Sequence, residues 1–271
     1  MVNRFLMCRP EFFDVSYVIN PWMAGNLSCV SREQAHAQWD TLLRLMRDGA
    51  DVELIDPEPN LPDMPFTANA GLVVGNTVLL SNFRFAERQN EEKHFERWFR
   101  DHGFVVSKLP RETPFEGAGD ALLDRARGCV WLGFGHRSDP AAGLHIGALF
   151  GLETIPLQLA DPRFYHLDTC FCPLPQGSVM YYPEAFSPGS QALLKKRIPP
   201  HKAILVEEED ARKFACNAVS RGSKIILNSA SDRLRRQLST TGLQAEQSPF
   251  SEFLRAGGAS KCLTLRLEEP L

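Results

Sequence analysis

The chain has 271 residues, of which 44% are apolar and 23% charged, so it can bury a sizeable core and is not expected to be disordered. Its formal net charge of −3 disfavours nucleic acid and acidic membrane surfaces as partners. Because the sequence has no run of 18 apolar residues, we expect no transmembrane helix.

The cysteine pattern indicates a reducing environment. Seven cysteines are scattered without disulfide spacing, and the first residues lack a signal-peptide pattern, so we expect a cytoplasmic location. Cys170 and Cys172 form a Cys-x-Cys pair that we interpret as part of the core, because no second pair has zinc-ligand spacing. We therefore predict neither a metal nor a cofactor. We expect one domain over residues 1–271, and assembly into a homo-oligomer is compatible with the sequence.

Amphipathic segments and short β-rich runs alternate along the chain. In chain order we predict a helix from Ser31 to Gly49, a hairpin over 71–81, a helix from Glu91 to His102, hairpins over 121–133 and 170–182, a helix from Ser187 to Arg197, a hairpin over 218–227, and helices from Asp232 to Ser239 and Ser248 to Arg255. Each hairpin turn contains a glycine, which tolerates tight-turn geometry. The chain is thus predicted to repeat a unit of β-hairpin, helix and strand.

Five polar residues, which we call the axial markers, recur in phase with this repeat. They are Asn69, Asp120, Asp168, Asn217 and Cys262, separated by 51, 48, 49 and 45 residues. A period near 50 residues is typical of repeat architectures. Polar groups at the same point of each repeat would meet in space if the repeats surround a common axis.

Cys262 is the candidate nucleophile. A thiol reacts as its thiolate, which a nearby base, a cation or a helix terminus can populate. The preceding Gly257 and Gly258 permit backbone conformations that expose a side chain just before a strand. Free cysteines are often simply buried, but the in-phase placement of Cys262 favours a functional role.

Three acid–base candidates accompany the cysteine. His166 and Asp168 lie at a predicted loop-to-strand junction, where residues two apart face the same side, which suits a proton shuttle beside a cation-binding carboxylate. Glu116 lies between an aromatic residue and glycines that allow close approach of a ligand. Each residue also has a plain alternative: a hydrogen-bonded histidine, a solvated aspartate and a loop glutamate.

Four motifs in this order resemble the guanidine-modifying enzymes of the pentein superfamily. The motifs are Phe66-Thr67-Ala68-Asn69-Ala70-Gly71, Phe115-Glu116-Gly117-x-Gly119-Asp120, His166-Leu167-Asp168-Thr169 and Gly257-Gly258-Ala259-Ser260-Lys261-Cys262. The group includes arginine deiminases, dimethylarginine dimethylaminohydrolases, amidinotransferases and arginine dihydrolases. The resemblance covers almost the whole chain and implies an α/β fold, a five-bladed propeller with the active site on its axis.

The resemblance also implies catalytic roles. It assigns Cys262, His166 and Glu116 to a Cys-His-Glu constellation and makes Asp168 a further ligand of the substrate guanidinium. Deiminases and dimethylarginine hydrolases place an aspartate near position 69, whereas Asn69 matches the dihydrolases.

Three further residues are assigned to substrate binding by the same resemblance. Arg88 and Arg137 stand where the family carries carboxylate-binding arginines, and two arginines suit a clamp on a small acid, although either could be a surface charge. Asn20 resembles the N-terminal loop asparagine of the dihydrolases.

The expected function is cysteine-dependent hydrolysis of a guanidino C–N bond in arginine or a close analogue, through a covalent S-alkylthiouronium. The amide at Asn69 favours a dihydrolase, since it offers a donor and an acceptor to both the guanidinium and the neutral ureido group. Alternatives are a deiminase, a dimethylarginine dimethylaminohydrolase or an amidinotransferase. A different class, a non-catalytic pentein that acts as a binding module, is disfavoured because the four reactive side chains are present together.

Overall fold

Five three-stranded sheets surround a common axis in the computed structural model, which describes residues 3–267. The sheets are the blades of an α/β propeller with pseudo-five-fold repeats, as the resemblance implied. Blade 1 contains strands Gly71–Val74, Thr77–Leu80 and Val105–Ser107 and helix Glu92–Asp101. Blade 2 contains strands Ala121–Asp124, Cys129–Phe134 and Glu153–Gln158 and helix Ala142–Phe150.

Each of the remaining three blades also consists of three strands and one helix. Blade 3 contains strands Phe171–Pro173, Val179–Tyr181 and Ala203–Leu205 and helix Pro188–Arg197. Blade 4 contains strands Val219–Arg221, Lys224–Leu227 and Gln244–Gln247 and helix Asp232–Thr240. Blade 5 contains strands Leu265–Arg266, Asn3–Cys8 and Ala50–Ile55 and helix Arg32–Arg47.

Every blade follows one pairing rule. Its first two strands are antiparallel, and the third runs parallel to the second because the helix carries the chain back across the sheet. In blade 1, for example, Val78 pairs with Val73 on one side and with Val106 on the other. All four predicted hairpins are confirmed, and the strand that follows each of the first four axial markers is the innermost strand of its blade.

Blade 5 closes the ring with segments that are far apart in sequence. Its inner strand Leu265–Arg266 pairs antiparallel with Asn3–Cys8, so that Phe5 faces Arg266 and Leu6 faces Leu265. Asn3–Cys8 in turn pairs parallel with Ala50–Ile55. The first and last described strands are therefore held together in one sheet.

Four of the five blade helices are confirmed at their predicted positions. Three of these begin at a serine, Ser31, Ser187 or Ser231, whose hydroxyl accepts a hydrogen bond from the backbone three residues later.

The helix predicted around Ser248 to Arg255 is present but short, a single α-helical turn over Ser251–Leu254, and the helix of blade 2, Ala142–Phe150, was not predicted. The sequence does not predict helix Ala142–Phe150, because this segment contains Gly143 and Gly147, has no side-chain N-cap, and is apolar on nearly every face.

Shorter helical turns connect these elements. They are Ala86–Gln89, Gly117–Asp120, Glu208–Ala211, Thr67–Ala70, Leu167–Thr169, Pro183–Ala185 and Pro200–Lys202. The core lies between the sheets and the outer helices, where Trp39 and Trp131 are fully buried. Within residues 3–267, no helix has both the length and the apolar composition needed to cross a bilayer.

Ring closure gives a stability prediction. Leu6→Ala should destabilise the fold by about 2–5 kcal/mol, because Leu6 is fully buried in the closing sheet and its truncation leaves a cavity. Leu144→Ala is the matched control, since Leu144 is 79% exposed and should change stability by less than about 0.5 kcal/mol. Denaturant unfolding measures both variants, and equal effects would contradict the closing role.

Candidate active site

The axial markers join neighbouring blades. The Asn69 amide donates to the carbonyl of Glu116 (3.3 Å), and the Asp120 carboxylate accepts from the backbone N–H of Leu167 (3.0 Å). The carbonyl of Cys262 accepts from the backbone N–H of Ala68 (3.1 Å) and so links blade 5 to blade 1. The polar positions that recur in the sequence therefore meet in space, as predicted.

Asn217 holds the nucleophile candidate. Its Oδ1 accepts hydrogen bonds from the backbone N–H groups of Ala259, Lys261 and Cys262, each at 3.1 Å. Its Nδ2 donates to the Cys262 sulfur at 3.0 Å and also contacts the carbonyl of Asp168 at 3.3 Å. One amide thus positions both the backbone and the sulfur of the cysteine.

The surroundings of Cys262 disfavour its thiolate in the free protein. Burial raises the pKa of Cys262 well above its usual value, and the Asp168 carboxylate, 3.5 Å from the sulfur, raises this pKa further. The hydrogen bond from Asn217 and the charge of Lys261 oppose this shift. The site therefore needs a positive charge nearby before the thiolate becomes populated.

His166, Glu116 and Arg137 form a buried chain of charge-assisted contacts. The Glu116 Oε2 atom lies 2.7 Å from His166 Nε2 and accepts a hydrogen bond from the Arg137 guanidinium at 2.9 Å. Burial alone would raise the pKa of Glu116, but Arg137 and His166 outweigh it and hold this pKa well below its usual value. Glu116 is therefore ionised and fixes one nitrogen of the imidazole.

The other imidazole nitrogen has a different environment. His166 Nδ1 is buried and has no hydrogen-bond partner among the described residues. Gly119 lies against it, and a methyl group at Gly119 would also come within 2.2 Å of the Asn69 amide nitrogen. The glycine of the Gly117-x-Gly119 motif is thus required by the close approach of three blades.

The proposed common face of His166 and Asp168 was wrong. These residues do not lie on a strand, because Leu167–Thr169 is a 3-10 helical turn. The turn sends His166 towards Glu116 and Asp168 towards the Cys262 sulfur. The two side chains still serve one site, but from different directions.

Arg88 anchors a second buried cluster. Its guanidinium makes two hydrogen bonds to the Glu91 carboxylate, at 2.9 and 2.8 Å, and a third to Asn69 Oδ1 at 2.9 Å. Asp63 lies 3.8 Å from the same guanidinium. Burial raises the pKa of Glu91 to about 7, although Arg88 opposes the shift.

One pocket collects most of the substrate-binding candidates. Asn20, Asn69, Arg88 and Arg137 line it together with Cys262, and in the free protein the cavity measures about 10 Å³, roughly the room for one water molecule. The Arg137 guanidinium lies over the Phe85 and Tyr165 rings at 4.8 and 4.6 Å. The Asn20 amide donates to the carbonyl of Ala256 (3.0 Å) and so ties the N-terminal loop to the turn before the cysteine.

Three residues of this site were not assigned roles from the sequence. Asp63 and Tyr165 line the pocket, and the buried Asp63 Oδ1 accepts no hydrogen bond from any described residue. Asn217 was recognised as an axial marker, and its phase alone could have suggested that it contacts the nucleophile. Across residues 3–267, no group of three or more His, Cys, Asp or Glu side chains is arranged to hold a metal ion.

Comparisons with known proteins agree with this geometry. Residues 23–268 match the family described as N,N dimethylarginine dimethylhydrolase, eukaryotic. The chain is 38% identical to an N(G),N(G)-dimethylarginine dimethylaminohydrolase from Mycobacterium tuberculosis, over 98% of this chain and 86% of that protein. It is 50% identical to the bifunctional arginine dihydrolase/ornithine cyclodeaminase AgrE from Nostoc sp., over 99% of this chain but 38% of that protein.

The fold of the chain is also similar to those of solved structures. The N-terminal domain of the cyanobacterial arginine dihydrolase ArgZ, a cysteine-to-serine mutant bound to substrate, superimposes with a TM-score of 0.98 at 50% identity and 99% coverage of both chains. An asparagine-to-serine mutant of the same domain, covalently bound to a reaction intermediate, has a TM-score of 0.97 at 50% identity, covering 99% of this chain and 98% of that chain.

The thiol environment gives a testable prediction. Asp168→Asn should accelerate alkylation of Cys262 by iodoacetamide several-fold at pH 8. Removing the adjacent negative charge lowers the thiol pKa, and each pKa unit changes the thiolate population about tenfold. Peptide mass spectrometry follows the rate at Cys262, with the exposed Cys29 as internal reference. An unchanged or slower rate at Cys262 would contradict the assigned role of the carboxylate.

Proposed function

Because the chain belongs to the N,N dimethylarginine dimethylhydrolase family, we propose that it is a cysteine-dependent hydrolase of guanidino C–N bonds and, within that class, an arginine dihydrolase. The observation that carries the proposal is the Cys262 thiol, held by Asn217 against Asp168 in a pocket that also contains two arginines. We further propose that residues 1–271 act as one catalytic domain. The chain spans about 38% of the length of its bifunctional cyanobacterial relatives, and of their two activities we propose only the arginine dihydrolase reaction for it.

Substrate binding follows from the charges in the pocket. Arg88 and Arg137 present positive charge to the substrate carboxylate. Asp63 Oδ1, which accepts no hydrogen bond from a described residue, is available to the ammonium group of the substrate. The guanidinium is placed near Asp168 and Cys262. Its positive charge lowers the pKa of the thiol, whose proton is released, and the thiolate becomes available for attack.

The first reaction converts arginine to citrulline. The thiolate attacks the guanidinium carbon, and the C–N bond breaks as His166 gives a proton to the leaving nitrogen, which departs as ammonia. His166 then takes a proton from water, which adds to the S-alkylthiouronium. Breaking the C–S bond releases citrulline, the proton of its new hydroxyl passes to solvent, and the Cys262 thiolate remains with His166 protonated, ready for a second attack. Glu116 holds His166 Nε2 throughout, so Nδ1 is the atom placed to move the proton.

A second round of the same chemistry produces ornithine. The thiolate attacks the ureido carbon, a second ammonia leaves, and hydrolysis of the resulting thiocarbamate gives a carbamate that decomposes to ornithine and carbon dioxide. Asn69 supports this round because its amide adds no negative charge that would favour the cationic substrate over the neutral one.

A dimethylarginine dimethylaminohydrolase is the second candidate. It is favoured by the family description and by the relative from Mycobacterium tuberculosis, which the chain matches over 86% of its length. Incubation with asymmetric dimethylarginine distinguishes the two, since only the second activity releases dimethylamine. Adding an amine acceptor in the same assay tests for amidino transfer.

The nucleophile assignment predicts that Cys262→Ser abolishes turnover of arginine while the thermal unfolding midpoint stays within a few degrees of the wild type. A hydroxyl at this position is a far weaker nucleophile than the thiolate. Ammonia release measures turnover, and Cys29→Ser is the control, since Cys29 is exposed and outside the pocket. Full activity in Cys262→Ser would remove the covalent mechanism.

If Arg88 and Arg137 bind the substrate carboxylate, the enzyme should process agmatine, which lacks this carboxylate, less efficiently than arginine. The value of kcat/KM should be about 10- to 150-fold lower for agmatine than for arginine, because a charge-assisted hydrogen bond contributes about 1.5–3 kcal/mol. Arg88→Lys should narrow this difference, since lysine cannot reproduce the forked geometry. Equal processing of both substrates by the wild type would show that the arginines do not bind the carboxylate.

The side chain at position 69 should determine whether ornithine or citrulline is released. The wild type should yield ornithine and two ammonia per arginine, whereas Asn69→Asp should accumulate citrulline, because a carboxylate favours the cationic guanidinium over the neutral ureido group. Amino-acid analysis of the products measures the ratio. Thermal unfolding serves as control, since aspartate also loses the hydrogen bond to the Glu116 carbonyl. Citrulline as the only wild-type product would refute the dihydrolase and leave the deiminase.

A further inference from the structure

Most of the hydrogen-bonding capacity of Arg88 is used inside the protein. A guanidinium carries five N–H groups. Those on Nε and on one side of Nη2 donate to the Glu91 carboxylate, and the second Nη2 N–H reaches the carbonyl of Asp63 at 3.3 Å. Nη1 donates to Asn69 Oδ1 at 2.9 Å. Within residues 3–267 this leaves one N–H of Nη1 for a ligand, so Arg88 also connects Glu91 to Asn69.

Glu91 fixes the direction in which this guanidinium points. Its carboxylate is fully buried and bonds the Nε and Nη2 side of Arg88, at 2.9 and 2.8 Å. Two parallel hydrogen bonds of this kind define the plane of the guanidinium as well as its position. The centre of the Phe83 ring lies 4.5 Å from the guanidinium carbon and covers one face. Nη1 is therefore held towards Asn69.

The bond from Arg88 decides which end of the Asn69 amide faces the reaction. A guanidinium has no acceptor, so it bonds only the oxygen of an amide. The Asn69 nitrogen consequently points the other way, where it donates to the carbonyl of Glu116 at 3.3 Å. A methyl group at Gly119 would clash with this nitrogen and would lie 3.4 Å from His166 Nδ1. The amide nitrogen and the imidazole nitrogen thus border the same small space.

An N–H group that faces this space distinguishes citrulline from arginine. In the proposed mechanism His166 Nδ1 protonates the nitrogen that leaves, so the oxygen supplied by water comes to lie beside the same atom. That oxygen becomes the ureido oxygen of citrulline. It can accept the second N–H of Asn69, which has no partner among the described residues, whereas the NH2 group of a guanidinium cannot. This orientation of the amide therefore favours citrulline over arginine.

We propose that Glu91 is a positioning residue, which through Arg88 keeps an N–H of the Asn69 amide turned towards the ureido oxygen and so retains citrulline for the second round. Because this role concerns the retention of citrulline, it rests on the proposed arginine dihydrolase reaction. Glu91 does not line the active-site pocket and acts by geometry. Its negative charge alone would favour the cationic arginine over the neutral citrulline, which is the opposite preference.

The binding test uses isothermal titration calorimetry in a Cys262→Ala background, which turns over neither ligand. Measurement at pH 8 keeps Glu91 ionised, because burial raises its pKa to about 7. Glu91→Asp retains the charge, but its shorter side chain cannot bond Nε and Nη2 of Arg88 in their present places. The dissociation constant for citrulline divided by that for arginine should rise about three- to tenfold, the contribution of one neutral hydrogen bond. An unchanged or smaller ratio would overturn the proposal.

A second background tests whether the effect passes through Asn69. When Asn69→Ala is added to Cys262→Ala, no amide is left to orient, and Glu91→Asp should leave the ratio unchanged. An equal rise in both backgrounds would show that Glu91 acts without Asn69, and the proposal would fall.

Two further variants guard this comparison. If Glu91→Asp does not fold, Glu91→Gln replaces it, since glutamine keeps the length of the side chain but turns one acceptor into a donor. It should raise the ratio in the background with Asn69 relative to the background with alanine. Glu87→Gln is the matched control, because Glu87 is an exposed carboxylate in the same turn as Arg88 and should leave the ratio unchanged.

Turnover separates a failure of this proposal from a failure of the proposed function. With Cys262 intact, Glu91→Asp should release more citrulline per arginine consumed than the wild type, whereas Glu87→Gln should not. A wild type that yields citrulline alone would refute the dihydrolase and the retention of citrulline, while the binding ratio decides separately whether Glu91 orients Asn69. If Cys262→Ala binds no arginine, the proposed function fails and this proposal fails with it.

Discussion

The hydrogen bonds of the Asn217 side chain are the interaction on which the rest of the site depends. A single carbonyl oxygen accepts from three backbone donors of the turn that carries Cys262, and the amide nitrogen contacts the sulfur itself. The same nitrogen reaches the carbonyl of Asp168 in the neighbouring repeat. The position of the sulfur is therefore set by blades 3 and 4 as much as by its own blade. A buried, fully satisfied amide of this kind rigidifies its surroundings, because any rearrangement leaves several polar groups unpaired at once.

The charges around the pocket are held in pairs before any ligand arrives. Arg88 is engaged by Glu91, and Arg137 by Glu116, all of them buried. Breaking such a pair leaves an uncompensated buried charge, so these contacts keep the guanidinium groups in place. Cys262 and Asp168 lack a full counter-charge, and the pKa values of both are raised. A cationic group is therefore the ligand that this part of the pocket stabilises best.

The repeat could be predicted from the sequence because the hairpin turns contain glycine and because an axial marker recurs wherever a blade meets the axis. The same spacing of the axial markers identified Cys262, Asp168 and Asn69 as candidate site residues. Helix Ala142–Phe150 was not visible, since its glycines and all-round apolar surface carry no helical period. The pairing of Arg88 with Glu91 and Asn69 could not be inferred, because a motif carries no information about side-chain partners from other blades. His166 and Asp168 were placed on a strand because spacing alone cannot separate a strand from a 3-10 turn.

Ring closure by distant segments constrains the order in which the molecule can assemble. Strand Asn3–Cys8 is made early, yet its antiparallel neighbour Leu265–Arg266 emerges more than 250 residues later. Blades 1 to 4 can each form from contiguous sequence, whereas blade 5 must wait for a long-range encounter that is entropically slow. Until then the backbone N–H and C=O groups along one edge of strand Asn3–Cys8 are unpaired. They can form hydrogen bonds with a wrong strand, such as the same strand of another copy. Since the closing segment directly follows Cys262, the thiol reaches its contacts with Asn217 and Asp168 only at the last step of folding.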